Sequence, residues 1–481
     1  MVANLEKQHG LGDERSRSPT LGPEDNALAP TKSRQSFRAY NEKTKRTLSN
    51  KPDDVDAAIW LEEASVTGIK ERKGFKRRSS SSPNNPFPAG YAGGTLTTVI
   101  IGLSTYYTSL LLWRFCAAHP EVRDIADAAQ VLCGGHRIGW YIGFIALALN
   151  AYCIMGLHAV AGATAVQTIR DGSEVTLVWA VVITILMWLP SNIRDFSSMT
   201  ALGLVAAFTM LVCVLIVLCG HGVQGYPSGW TPGDVITHSV WSPPGTTFVQ
   251  CVNAILNIAY TFIGHALIPS FIGDMEKPQE FPKALAVSMS AQLLLYTITG
   301  AVVYHYTGFE FTTAPAYGSL ISKYGKVAAG FTLPTIVIVG VLYSLVVSRA
   351  IYFQIFQEGS RHRTRHTVKG WSTWLVIVFV GWVISFIIGE AVPFFSDLLS
   401  LISSLFSSWS IAYVQMDRKR MFSSPLKILE TCFVVCCFCA GAFFFVGGTY
   451  ASVQSIIDSY NAGAVKSPFT RANTGFVLDN R

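Results

Sequence analysis

The residues best suited to chemistry lie in one apolar stretch, Asn253 to Ala284, whose helical pattern is interrupted by Gly264 and Pro269. Glycine and proline weaken a helix, and inside a membrane the backbone groups that they free need new partners. Such a break is tolerated mainly where the backbone is buried in protein or lines a cavity. Discontinuous helices of this kind form substrate and ion sites in secondary transporters, whereas an ordinary kinked helix is the alternative interpretation.

The predicted unwound stretch consists of Tyr260, Thr261, Phe262, Ile263, Gly264 and His265. Free N–H groups at the start of a half-helix suit a carboxylate, and freed carbonyls suit an ammonium group. We expect Phe262 and Ile263 to contact an apolar side chain of a ligand. Asn253 and Asn257 lie one turn apart and are further binding candidates, with hydrogen bonding between helices as the alternative.

Two histidines, His158 and His265, lie inside apolar spans. An ionisable group at this depth is costly and is therefore a functional candidate. Histidine titrates near neutral pH, so both residues are candidates for coupling a proton to substrate movement, and a neutral buried histidine is the alternative. Pro334 interrupts another span, while Glu390 and Asp397 flank a short turn where a solvated interfacial position is expected.

The elements that must position these residues are membrane helices. The chain is 50% hydrophobic and 14% charged, whereas soluble proteins carry roughly 25% charged residues. Its apolar blocks approach the length of about 20 residues that crosses a bilayer. Ten spans are predicted, at 90–112, 140–168, 175–190, 197–219, 247–272, 284–307, 327–348, 371–391, 394–414 and 428–450.

Three regions follow from this pattern: a disordered basic tail at 1–88, a transmembrane domain at 89–450 and a polar tail at 451–481. The first region cannot bury enough apolar surface to fold alone. Within it, Trp60–Lys70 is expected to form at most one short helix.

Charge in the loops alternates from one side to the other. One set of loops carries 14 Lys and Arg residues and the opposite set carries only 3, while the loop from His221 to Thr246 has none. The first set is therefore expected in the cytosol. This topology places the N-terminal tail, with its 16 basic residues, on the opposite side. One further span before residue 90 would return it to the cytosol. Three explanations stay open: a helix is missing there, the gene model is wrong, or the first span inserts against the charge bias, since long polar tails can cross a membrane regardless of charge.

Several other classes of function are excluded. The net charge of +7 lies in loops and tails, which membrane topology explains without nucleic acid. Four cysteines at 432, 436, 437 and 439 resemble a metal cluster, but they lie in an apolar span without nearby histidine and suit packing. Neither a phosphate-binding loop nor a zinc spacing nor a hydrolase elbow occurs in a suitable context. The sequence therefore predicts no enzyme, no cofactor and no metal.

Three segments together resemble a known family. They are AYTFIGHALIPSFIGDMEKPQEFPKAL from Ala259, YYTSLLLWRFCAAHPEVRDIADAAQV from Tyr106 and NAYCIMGLHAVAGATAVQT from Asn150. The pattern is similar to the amino acid/auxin permease family, in its fungal neutral amino acid permease branch. The resemblance covers about residues 90–450.

The resemblance implies an all-α, polytopic membrane bundle with a LeuT-like inverted repeat, of which this chain lacks a match to the first helix. It further implies a secondary active transporter in the plasma or vacuolar membrane, which moves amino acids, expected to be neutral, and is coupled to protons. Because the first helix normally supplies part of the substrate site, two alternatives stay open. One is a transport-inactive relative that acts as a sensor or adaptor, and the other is an incomplete gene model.

Overall fold

The computed structural model describes residues 90–172, 175–194, 199–356, 359–391, 395–406 and 425–461. Every regular element in these ranges is helical. The α-helices are α1 (Gly90–Ala118), α2 (Ile125–Leu132), α3 (Arg137–Ile169), α4 (Thr176–Ser191), α5 (Met199–Gln224), α6 (Phe248–Tyr260), α7 (Ile268–Asp274), α8 (Phe281–Thr307), α9 (Ser322–Ile355), α10 (Arg361–Thr364), α11 (Val368–Ala391), α12 (Phe395–Phe406), α13 (Pro425–Phe443) and α14 (Thr449–Asn461).

The all-helical membrane bundle predicted from the sequence is confirmed, and each of the ten predicted spans contains a helix. Within the described ranges, seven helices are long and apolar enough to cross a membrane: α1, α3, α5, α8, α9, α11 and the continuous helix Lys427–Asp458. Helices α4 and α6 are apolar but shorter. The shortness of α6 has a clear cause, since the span that contains it is broken.

Helices α3 and α9 form the centre of the bundle. An 18-residue apolar stretch is 61% buried in α3 and 72% buried in α9, whereas the corresponding stretches of the other candidate spans are 33% buried or less. Helix α9 packs against α3, α4, α5 and α11, and α3 also contacts α12. Close packing depends on small residues: an added Cβ on Gly156 of α3 would lie 2.5 Å from the carbonyl oxygen of Ser385 on α11. Glycine therefore lets these two backbones touch, as is common between membrane helices.

Near the C-terminus, a helix continues beyond the predicted end of the transmembrane domain. Helix α14 extends to Asn461, eleven residues into the segment expected to be a polar tail, because Ala451 and Ser452 are fully buried against α6 and α12. The predicted short helix at 60–70 and the predicted missing span both fall before residue 90, outside the described residues.

Candidate functional site

The predicted break in the span 247–272 is present. Helix α6 is fixed at its start by a capping box, in which Thr247 and Gln250 exchange side-chain and backbone hydrogen bonds. It ends at Tyr260 in tight turns, where the N–H of Phe262 donates to the carbonyl of Ala259 and that of Ile263 to Tyr260. Pro269 lies in the first turn of α7, where its missing N–H costs no helical hydrogen bond.

His265 lies in the break and joins it to α1. Its Nε2 is 2.8 Å from Oγ1 of Thr108 and 3.2 Å from Oγ of Ser109, and the ring also bonds the backbone of Thr105. Three oxygen atoms of one helix therefore surround a single imidazole. A change in the protonation of His265 would change whether its ring nitrogens donate or accept these hydrogen bonds. It would therefore change how the break is held to α1.

The two asparagines are hydrogen-bonded to other helices. Nδ2 of Asn253 donates to the carbonyl of Ala451 on α14 at 3.3 Å, and Oδ1 of Asn257 accepts from Ser400 on α12 at 2.7 Å. These contacts correspond to the alternative of hydrogen bonding between helices. His158 is likewise placed inside α3, where Nδ1 lies 2.8 Å from the carbonyl of Ile154 and the side chain is only 3% exposed.

A cavity lies beside the break, between α1, α3, α5, α8 and α9. Its empty volume is about 1430 Å³, including the part that opens to solvent. Of the predicted site residues, only Thr261 lines it. Phe262 lies behind the wall, 2% exposed, with its ring 5.2 Å from that of Tyr296. Tyr260 and Ile263 are buried in the main apolar core of the bundle.

The cavity wall is uncharged and rich in hydroxyl groups. Among the described residues that line it, none carries a charge. Threonines and tyrosines from four helices and one loop supply the polar atoms: Thr95, Thr98, Thr164, Thr297, Thr299, Thr332, Tyr91, Tyr296, Tyr304 and Tyr317. The buried Oγ1 atoms of Thr297 and Thr299 on α8 make no hydrogen bond. Such a wall can bind a neutral ligand that has both apolar and hydrogen-bonding parts.

The loop between α5 and α6 is hydrogen-bonded to two residues of the cavity wall, Tyr91 and Tyr304. The N–H of Tyr91 donates to the carbonyl of Ser239 at 3.0 Å, and the N–H of Ser239 donates to the hydroxyl of Tyr304 at 3.1 Å. Gly90 has a φ of +68°, and a Cβ there would lie 2.7 Å from the Ser239 carbonyl. Glycine is therefore required where the loop crosses the start of α1.

Helix α7, at the far end of the broken span, contacts the backbone just before α2, next to two carboxylates. Oγ of Ser270 on α7 donates to the carbonyl of Arg123 at 3.2 Å. Asp124 caps α2 by accepting from the N–H of Asp127 at 2.9 Å, and Asp127 accepts from the indole of Trp140 at 3.2 Å. Burial, followed by the neighbouring charge of Asp127, raises the pKa of Asp124 to about 6. Burial also raises the pKa of Asp127.

Sequence reasoning located the break but missed most of the cavity. The lining residues on α1, α5 and α8 are ordinary membrane-helix residues with no local motif. The only signal was the presence of hydroxyl residues in apolar spans, as in Thr95 and Thr98 on α1 and Thr297 and Thr299 on α8. Pro334 lies inside the continuous helix α9, between the lining residues Thr332 and Ile336, so the predicted proline position is next to the cavity.

Comparison with known proteins gives a family match and several similar sequences. Residues 87–454 match the family of transmembrane amino acid transporter proteins. The chain is 30% identical over 404 residues to the "N amino acid transport system protein" of Neurospora crassa, covering 82% of this chain and 84% of the relative. It is 26% identical over 353 residues to "Lysine histidine transporter-like 8" of Arabidopsis thaliana, covering 67% and 65% respectively.

Two solved transporters align over most of their length. Mhp1, a nucleobase-cation-symport-1 family transporter with bromovinylhydantoin bound, gives a TM-score of 0.48 at 14% identity, covering 86% of this chain and 92% of its own. MhsT in complex with L-phenylalanine gives a TM-score of 0.43 at 11% identity, covering 84% and 98%.

The family match confirms the resemblance found in the sequence, and the relatives are transporters rather than enzymes. With its apolar helices, the chain is a multi-pass integral membrane protein that belongs to the transmembrane amino acid transporter protein family.

Proposed function

We propose that the chain is a secondary active transporter that moves neutral amino acids across a membrane and uses protons as the driving ion. The observation that carries this proposal is the uncharged cavity beside the broken span. A charged substrate side chain would lose its hydration there and find no opposite charge, which is costly. A neutral side chain meets methyl groups, aromatic rings and hydroxyl groups instead.

The charged ends of an amino acid are matched by backbone groups of the break. Gly264 is buried in the break, between the ends of α6 and α7. A backbone N–H that lies outside a helix needs an acceptor, and the carboxylate of an amino acid ligand could supply one. Thr261, at the cavity wall, places this stretch within a few residues of the space that a ligand would occupy.

Proton coupling is proposed for His265 rather than His158. His265 lies in the break and contacts Thr108 and Ser109 of α1. Its protonation would therefore alter how the broken span is attached to α1. His158 contacts the backbone of its own helix, and the same change would affect no neighbouring element through that bond. His158 is therefore assigned to packing.

The test is uptake of radiolabelled L-leucine by proteoliposomes that contain the purified protein. A proton gradient should drive accumulation above the external concentration, and collapse of the gradient with a protonophore should abolish it. Uptake that ignores the gradient would refute proton coupling and leave transport intact. Binding of leucine without any uptake would refute transport and indicate an amino acid sensor. Fractionation of cells that express the tagged chain would decide between the plasma and vacuolar membranes.

A further inference from the structure

One face of α8 carries buried polar groups that no protein atom satisfies. Gln292 is fully buried, and neither the nitrogen nor the oxygen of its side-chain amide has a hydrogen-bond partner. One turn earlier, Ser288 is 1% exposed, and its hydroxyl has no partner either. Leaving such groups unpaired is costly, and native proteins rarely do so without a ligand or water at the site.

The same face of α8 lines the cavity further along the helix. Tyr296 and Thr299 are cavity residues, and they follow Gln292 by four and seven positions, which places all three on one side of a helix. At the helical rise, Gln292 lies about 6 Å beyond Tyr296 and about 10 Å beyond Thr299 along the axis. The polar face therefore continues from the cavity towards the end of α8 that begins at Phe281.

The surroundings of Gln292 restrict what could satisfy it. Helix α8 packs against α1 and α5. Its neighbours Leu285 and Met289 belong to an apolar cluster, and Leu293 packs against the same cluster. An unpaired amide offers two donors and an acceptor. The best partner is a neutral group that both donates and accepts in one plane, and a carboxamide has this chemistry.

We propose that Gln292, assisted by Ser288, forms a polar subsite below the cavity that binds the side-chain carboxamide of glutamine or asparagine. The inference rests on the proposed function, because it places the backbone end of the amino acid at the broken span. The substrate side chain then extends along α8, and its amide and that of Gln292 exchange two hydrogen bonds. Methionine has a similar length but can neither donate nor accept strongly, so this subsite distinguishes the two.

The experiment compares binding of L-glutamine and L-methionine to the purified full chain in detergent, followed by uptake of both in proteoliposomes. The wild type should bind glutamine roughly tenfold more tightly than methionine, the ratio expected from two net hydrogen bonds. In Gln292→Leu the ratio should fall to about one through loss of glutamine affinity alone. Ser288→Ala should lower the ratio partly. Ser290→Ala, at an exposed position two residues after Ser288, is the matched control and should leave the ratio unchanged.

Thermal stability separates this role from a structural one. Because leucine replaces an unsatisfied amide, Gln292→Leu should leave the unfolding temperature unchanged or raise it. A lower temperature together with equal loss of both ligands would overturn the subsite, since Gln292 would then be structural. An unchanged ratio in Gln292→Leu, as expected for a site that holds only water, would overturn it as well. Preferential glutamine binding without uptake would refute transport but uphold the subsite. Equal uptake of both amino acids would uphold transport but refute the subsite.

Discussion

Replacing Gly300 on α8 by leucine should obstruct the cavity without harming the fold. Gly300 lines the cavity, and an added Cβ there meets no atom within 4 Å. The leucine side chain gains burial worth about 1.5–3 kcal/mol if it lies in the cavity. A substrate would have to displace it, which corresponds to binding weakened by about 10- to 150-fold.

The matched control is Gly330→Leu on α9. Gly330 is also inside a helix with no atom within 4 Å of an added Cβ, but it is not a cavity residue. Replacing a glycine inside a helix by another residue stabilises the helix by about 0.5–1 kcal/mol. Both variants should therefore unfold at or above the wild-type temperature.

The assay is leucine binding and uptake at matched amounts of purified protein. Only Gly300→Leu should lose activity. If both variants bind leucine as the wild type does, the cavity is not the substrate site, and the function proposed from its uncharged wall loses its support. If both lose binding and stability equally, the space around Gly300 is not open in the folded protein.

Three further predictions follow from other parts of the molecule. His265→Ala should abolish accumulation driven by a proton gradient yet retain exchange of internal for external leucine; loss of both would assign His265 to substrate binding. The pKa of Asp124 is raised from 3.8 to about 6, so its contribution to stability is present below pH 3.8 and is lost as the pH rises through about 6. Asp124→Asn should therefore flatten the fall in unfolding temperature between pH 4 and pH 7, and an unchanged slope would contradict burial of this carboxyl. In a background without native cysteines, an impermeant thiol reagent should label Ser242→Cys but not Ser360→Cys on intact cells, provided that the protein reaches the plasma membrane, and the opposite pattern would invert the topology.

The positions of the helices and of the break were predictable from the sequence because local chemistry determines them. Runs of apolar residues must form helices in a bilayer, where every backbone group needs a partner. Pro269 cannot continue the hydrogen-bond ladder of the preceding residues, and the structure places it in the first turn of α7. The length of α14 was not predictable in this way, since its polar residues are buried only through contact with α6 and α12.

The direction of each polar side chain was decided by the tertiary structure. Asn253 and Asn257 are spaced as a binding pair would be, yet both bond to other helices. Helices that are apolar on all sides carry no periodicity that orients them. The composition of the cavity wall and the unsatisfied amide of Gln292 result from the orientation in which each helix packs against its neighbours. The helices around the cavity include α1, α3, α5, α8 and α9. Sequence therefore determined where this chain crosses the membrane and where the span breaks, while packing between distant helices determined which hydroxyl groups face the cavity and which amide is left unsatisfied.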